Sequence, residues 1–123
     1  MKTRFFLLLF TLCAASCTKV ERFNTYDMNV GDTIAHDKNL SVILEKVIDS
    51  RCPTEVFCVW EGMVEAEFVL DFDEVSDLLL TLSDKFPDTV LMGYKFTLIE
   101  VSPFPVDELP IPQEDYTVRL LIE

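Results

Sequence analysis

The most regular pattern in the chain is an alternation of apolar and polar residues with a period of two. It is clearest at Val64–Phe72, where Val64, Ala66, Phe68, Leu70 and Phe72 fall on one face and Glu65, Glu67, Val69 and Asp71 on the other. Side chains in an extended chain point to alternate faces, so this stretch predicts a strand with one buried and one largely acidic face. Such a strand belongs to an antiparallel sheet covered on one side. Leu40–Asp49 carries the same signal in blurred form. Val42 and Leu44 share one parity and Ser41, Glu45 and Asp49 the other, while Ile43, Lys46 and Val47 break the rule. Tyr26–Val30, stopped by Gly31-Asp32, predicts a first strand, and Asp37-Lys38-Asn39 a turn. Tyr94–Val101 and Tyr116–Ile122 predict two further strands.

Leu78–Leu82 reads as a strand. The spacing of Val75, Leu78, Leu79, Leu82 and Phe86 also fits one face of a helix over 74–86, and that alternative stays open. Ser102–Pro112 holds four prolines and cannot be a central strand. Six strands are therefore expected, with two shorter ones near Thr33–Ala35 and Thr89–Met92. The fold class that follows is all-β: a single antiparallel β-sandwich of Ig-like, Greek-key type, or a partly open barrel. Its expected core is Val42, Leu44, Val64, Ala66, Phe68, Tyr94, Phe96, Leu98, Val118 and Leu120.

Composition narrows the function classes. The chain has 123 residues, 50% of them apolar, enough for one domain. Ten basic against 22 acidic residues give a net charge of −12. That balance argues against nucleic acid, whose binding is driven by phosphate neutralisation, and against electrostatic attraction to anionic lipid. A single histidine, His36, and three glycines leave little for acid–base catalysis, metal clusters or phosphate loops. No enzyme and no cofactor are expected, and a monomer is.

The N-terminus reads as an address. Lys2 and Arg4 precede an apolar run, Phe5–Leu12, too short to span roughly 30 Å of hydrocarbon as a helix. Ala14-Ala15-Ser16 then leads to Cys17, an arrangement of basic, apolar and small residues that marks a secretory leader. The Ala-Ala-Ser-Cys segment resembles the lipobox of bacterial lipoproteins, with Ala14 at a position where that family most often has Leu. The resemblance implies cleavage after residue 16, a multiply acylated Cys17, a stable membrane anchor and a tether over 17–24 before a domain over 25–123. It implies a place in the cell envelope, and Thr18-Lys19-Val20-Glu21, which has no acidic export run, points to the periplasmic face of the outer membrane rather than the surface. The alternative is an ordinary cleaved leader that leaves Cys17 a free thiol. Both charges lost with the leader are positive, so the mature chain is more acidic still.

Of four cysteines, Cys13 leaves with the leader and Cys17 carries lipid, which leaves Cys52 and Cys58. In an oxidising compartment an even pair reads as a disulfide. A redox pair has two intervening residues rather than five, and a structural zinc needs four ligands where only His36 could join two thiols. A loop this small is worth roughly 2 kcal/mol in the chain-entropy model. Trp60, just beyond Cys58, is expected to pack, buried, on the sulfur bridge.

Asp49-Ser50-Arg51-Cys52-Pro53 followed by Cys58-Val59-Trp60-Glu61-Gly62 resembles a segment of small uncharacterised lipoproteins from Bacteroidota-type bacteria. Tyr94-x-Phe96-x-Leu98, Val101-x-Pro103-x-Pro105 and Tyr116-x-Val118 are similar to the rest of that family. Family members often carry Ala where Glu61 stands. The resemblance covers roughly residues 25–123 and implies location and fold, not chemistry.

Three groups of residues are candidates for binding. Arg51, with Trp60 and Glu61, could clamp a carboxylate on a loop held by the disulfide, or Arg51 could be spent internally on Asp49 or Glu61. Asp71, Asp73, Glu74 and Asp77 offer oxygens to calcium, yet lack the Gly and final Glu of an EF-hand, and serve equally as a solvated hairpin tip. The proline-rich segment could be offered to a protein partner in extended form, or could simply cross between the last two strands with Phe104 and Ile111 tucked inward. The expected function is a non-catalytic binding or structural module anchored through Cys17. The alternative is an inhibitor at the periplasm or surface, or a calcium-dependent adhesion module.

Overall fold

A computed structural model describes residues 24–123. The leader, Cys17 and the tether up to residue 23 lie outside the described residues. Eight strands follow: β1 (Thr25–Asn29), β2 (Thr33–Ala35), β3 (Leu40–Asp49), β4 (Val64–Phe72), β5 (Leu78–Ser83), β6 (Asp88–Leu91), β7 (Tyr94–Ser102) and β8 (Thr117–Ile122). A single 3-10 turn, Gln113–Asp115, precedes β8. Within residues 74–86 the regular element is the strand Leu78–Ser83 and not a helix, and both short strands are present.

The strands form two four-stranded antiparallel sheets, ordered β1-β8-β7-β6 and β2-β3-β4-β5. Their apolar faces meet in one core, built on Met28, Leu40, Val42, Leu44, Phe68, Leu70, Leu82, Phe96, Val118, Leu120 and Ile122. The expected sandwich is therefore present, and nine of the ten expected core residues are buried; Tyr94 is half-buried at the rim. The connectivity is a meander rather than a Greek key. Each strand neighbours the next in sequence, either within a sheet or across an edge at β1–β2 and β5–β6, and β8 returns to β1.

Two bulges explain why the alternation blurs. In β3 the register slips between Leu44 and Lys46, and in β7 between Leu98 and Glu100. One extra residue inverts the parity beyond it. Thus Val42 and Leu44 face inward and so does Val47, while Glu45 and Lys46 are both exposed. Phe96 and Leu98 face inward and so does Val101, while Ile99 and Glu100 are both exposed. Turn chemistry fits the hairpins. Met92 and Gly93, the two-residue loop between β6 and β7, both have positive φ, as a type I′ turn requires.

The sandwich has two poles. Thr25, Leu40, Phe72 and Tyr94 lie at the pole where the chain enters, marked by the contact of the Phe72 and Tyr94 rings, tilted at 37° with centroids 5.9 Å apart. Asp49, Ser102 and Thr117 lie at the opposite pole, with the long loop from β3 to β4 and the proline-rich crossover from β7 to β8. β2 covers only the first part of β3, so the far half of β3 has an open edge. Gln113 closes it: its amide accepts from Val47 N–H and donates to Val47 C=O, both at 2.9 Å, standing in for a strand's peptide group.

The bulge in β3 makes a direct test. Without it, Ile48 would face the core and Val47 solvent. Val47→Ala should cost about 1–3 kcal/mol, as removal of buried methyl groups does, and Ile48→Ala well under that, read as urea unfolding midpoints. The reverse order would refute the register.

Candidate functional site

The far pole is organised by the first five residues of the Cys-bounded segment. Asp49 ends β3 and Arg51 follows it by two residues, so both side chains turn to the same side, toward the crossover. Arg51 donates through Nε and Nη2 to the two oxygens of Asp49, at 2.9 and 2.8 Å, and its backbone N–H also donates to Asp49 Oδ1 at 3.1 Å. The guanidinium donates further to the carbonyls of Val101 at 3.0 Å and Pro103 at 2.9 Å, and lies 4.7 Å over the Phe104 ring. Tyr116 Oη donates to Asp49 Oδ2 at 3.0 Å. The two charged side chains are only 9% and 6% exposed. Arg51 is thus spent internally, its partner is Asp49 rather than Glu61, and no free guanidinium face remains for a bidentate carboxylate ligand.

The electrostatics follow from this geometry. Burial works to raise the pKa of Asp49, but the hydrogen bonds from Arg51 and Tyr116, with the charge of Arg51, outweigh it and hold the carboxyl below its ordinary value. Tyr116 is buried and donates to a carboxylate, so its hydroxyl is pushed up to about 12.

The rest of the segment builds a loop on this base. Ser50 N–H donates to Met63 C=O at 2.8 Å and Cys52 N–H to Glu61 C=O at 3.1 Å, closing a stem. Ser50 Oγ bonds Met63 as well. Gly62 has φ +70°, and a Cβ there would overlap the Ser50 carbonyl, so the glycine is required both by conformation and by contact. The Cys52–Cys58 disulfide closes the tip, with Cα atoms 5.9 Å apart. Thr54 and Glu55 donate backbone N–H groups to Pro105 at 3.1 Å and Val106 at 2.9 Å, so the loop lies alongside the crossover.

The tip departs from expectation. Trp60 is not buried on the disulfide; it is 83% exposed, beside Val59 at 89% and Phe57 at 97%. The stem bonds put residues 57–60 outside the sandwich, where no core surface is within reach. Phe104 is likewise half-exposed against Arg51 rather than tucked inward, while Ile111 does pack on the core. Glu61 is exposed at the stem. The segment 103–116 is a crossover, pinned by Arg51, Thr54, Glu55, Gln113 and Tyr116. A cleft of about 270 Å³ lies between the stem and this crossover, lined by Asp49, Arg51, Pro105, Asp107, Glu108 and Leu109 among others.

The acidic turn between β4 and β5 is at the entry pole, away from this loop. Asp71 Oδ1 accepts the N–H of Asp77, which has φ +56°. Among the described residues no three His, Cys, Asp or Glu are placed to hold a metal ion, so Asp71, Asp73, Glu74 and Asp77 are not brought together as calcium ligands. Asp73 and Glu74 line a shallow cleft of about 250 Å³ with Phe72, Met92 and Tyr94. His36 sits at the same pole, its Nδ1 2.9 Å from Tyr26 Oη, and Asp37 accepts from Tyr94 at 2.6 Å. Sequence reasoning missed Phe57, Val59, Gln113 and Tyr116. The first two carried a signal: large apolar residues on either side of Cys58, with no strand to bury them.

Gly62→Ala should destabilise the fold by at least about 1–3 kcal/mol from backbone strain alone, measured by thermal unfolding; an unchanged melting temperature would contradict the close approach to Ser50. The ion pair predicts a pH dependence. A lowered folded pKa gives stability that is present above the unfolded carboxyl value of about 4 and lost as pH falls through the folded one. Wild type should therefore exceed Asp49→Asn in urea midpoint at pH 7, and the gap should narrow as the pH drops below about 4. A gap independent of pH would exclude the charge as its source.

Comparison of the chain with family models, with curated proteins and with solved structures gives no match, and the reading of this pole rests on its own chemistry.

Proposed function

We propose that the chain is a non-catalytic binding module of a bacterial cell envelope, held to a membrane by acylated Cys17, with its binding surface on the disulfide loop. The observation that carries the binding half is the exposure of Phe57, inside the disulfide ring, and of Val59 and Trp60, directly after it, on one covalently braced loop. Isolated exposed apolar residues are ordinary, but three in four positions on a constrained loop mark an interaction surface. Trp is also the residue type most enriched where binding energy concentrates. The anchoring half is supported by the basic, apolar and small residues before Cys17, and by a disulfide suited to an exported protein. The resemblance to small Bacteroidota-type lipoproteins points the same way. Attachment at the entry pole would turn the disulfide loop away from the membrane, on the outer membrane's periplasmic side.

A non-catalytic role suits the polar groups that are present. His36 is engaged by Tyr26, and Arg51 by Asp49 and two carbonyls.

Mass spectrometry of the protein from its own membranes should show Cys17 as the first residue, bearing acyl chains. Cys17→Ser should move the protein from the membrane to the soluble fraction. An unmodified Cys17 in the mature protein would end the anchoring half of the proposal.

A further inference from the structure

We infer that the far pole docks a protein partner whose contact surface is an apolar groove edged by Lys or Arg. The inference deepens the binding half of the proposed function and rests on it.

The apolar component has two adjoining sources. The disulfide loop presents Phe57 within the ring and Val59 and Trp60 just beyond Cys58. The crossover beside it presents Phe104, Val106 and Leu109, at 50%, 52% and 73% exposure. The backbone bonds Thr54 N–H to Pro105 C=O and Glu55 N–H to Val106 C=O fix the two loops side by side. The disulfide, the stem bonds and the Arg51 contacts order both loops before any partner arrives, so less conformational entropy is lost on association.

The charge component selects the occupant. Glu55 lies within the ring and Glu61 beyond it at the stem, and Asp107 and Glu108 line the cleft between the loops. None of the four takes part in a salt bridge among the described residues. The one cation in the cleft, Arg51, is already neutralised by Asp49. An aromatic centre with an uncompensated acidic rim complements a basic-rimmed apolar groove, and the rim charges would steer the encounter. The same rim repels a second copy of this chain docking pole to pole, and it repels an anionic lipid surface. The pole also lies opposite Thr25, so a short tether at the entry pole turns it away from the anchoring membrane.

The test is site-specific photo-crosslinking with the full chain in its own cells. A benzophenone side chain replaces Val59, with a control at exposed Leu79 on β5. The inference expects one protein adduct from position 59 and none from 79, with the crosslinked partner peptide containing Lys or Arg beside apolar residues. Phe57→Ser with Trp60→Ser should lower the adduct at least tenfold, and Asp107→Asn with Glu108→Gln should lower it several-fold. Both variants should keep the wild-type melting temperature, since all four side chains are exposed. Adducts to lipid, adducts to a second copy of the chain, adduct yield indifferent to the acidic variants, or no adduct above the control would each overturn the inference. Purified protein that binds phosphatidylcholine vesicles through Trp60 would overturn it as well. Fractionation of the same cells separates the two failures: protein held in the membrane without an adduct defeats the partner inference alone, whereas unacylated soluble protein defeats the anchor.

Discussion

The Asp49–Arg51 ion pair is the constraint on which the far pole depends. Two charges removed from water lose several kcal/mol of hydration each, and their attraction compensates only when the remaining hydrogen-bonding capacity is also filled. Here it is filled. The carboxylate accepts from the Arg51 side chain, the Arg51 amide and Tyr116, and the guanidinium donates to the carbonyls of Val101 and Pro103. The pair therefore joins four stretches of chain: the end of β3, the end of β7, the crossover and the residue before β8. Loss of one partner would strand a buried charge and release all four at once, which makes the network cooperative rather than a sum of contacts.

The sheets need such a device because their meander leaves the pole poorly covered. Strands β2 and β6 are short, and beside the long β3–β4 loop the pole carries a second long excursion, the link from β7 to β8. Four prolines forbid that excursion from becoming a strand, so its polar groups must be met singly. Gln113 meets Val47, Thr54 meets Pro105, Glu55 meets Val106 and Arg51 meets Pro103. The two bulges serve the same end. Each turns a strand's far section so that an inward side chain, Val47 or Val101, seals the core just beneath the ion pair.

The fold was legible in the sequence wherever a strand ran without a bulge. Val64–Phe72 declared its faces residue by residue, because nothing shifts its parity. Leu40–Asp49 did not, since the slip at Leu44/Lys46 makes the second half answer to the opposite rule. Connectivity was illegible for a different reason: the same strands and turns serve a meander and a Greek key, and only the pairing of β8 with both β1 and β7 decides between them. At the candidate site, the disulfide followed from cysteine count and the expectation of an exported chain, and the internal use of Arg51 was one of two readings that spacing allowed. The exposure of Trp60 was hidden. An indole beside a sulfur bridge is expected to bury, and the stem bonds that carry it outward pair backbone groups whose positions no side-chain pattern records.

That exposure has an energetic meaning. Burying a side chain the size of Phe, Val or Trp is worth about 1.5–3 kcal/mol or more, and the loop forgoes it three times within four residues. A loop ordered by its apolar side chains could not do so, because turning them outward would remove what ordered it. This loop is ordered by other means: a disulfide worth roughly 2 kcal/mol, two stem hydrogen bonds, a glycine that admits the close backbone approach, and two bonds to the neighbouring crossover. Its conformation is thereby independent of its aromatic surface. The separation of the two is what allows Phe57, Val59 and Trp60 to differ in any way a partner demands without cost to the sandwich beneath them.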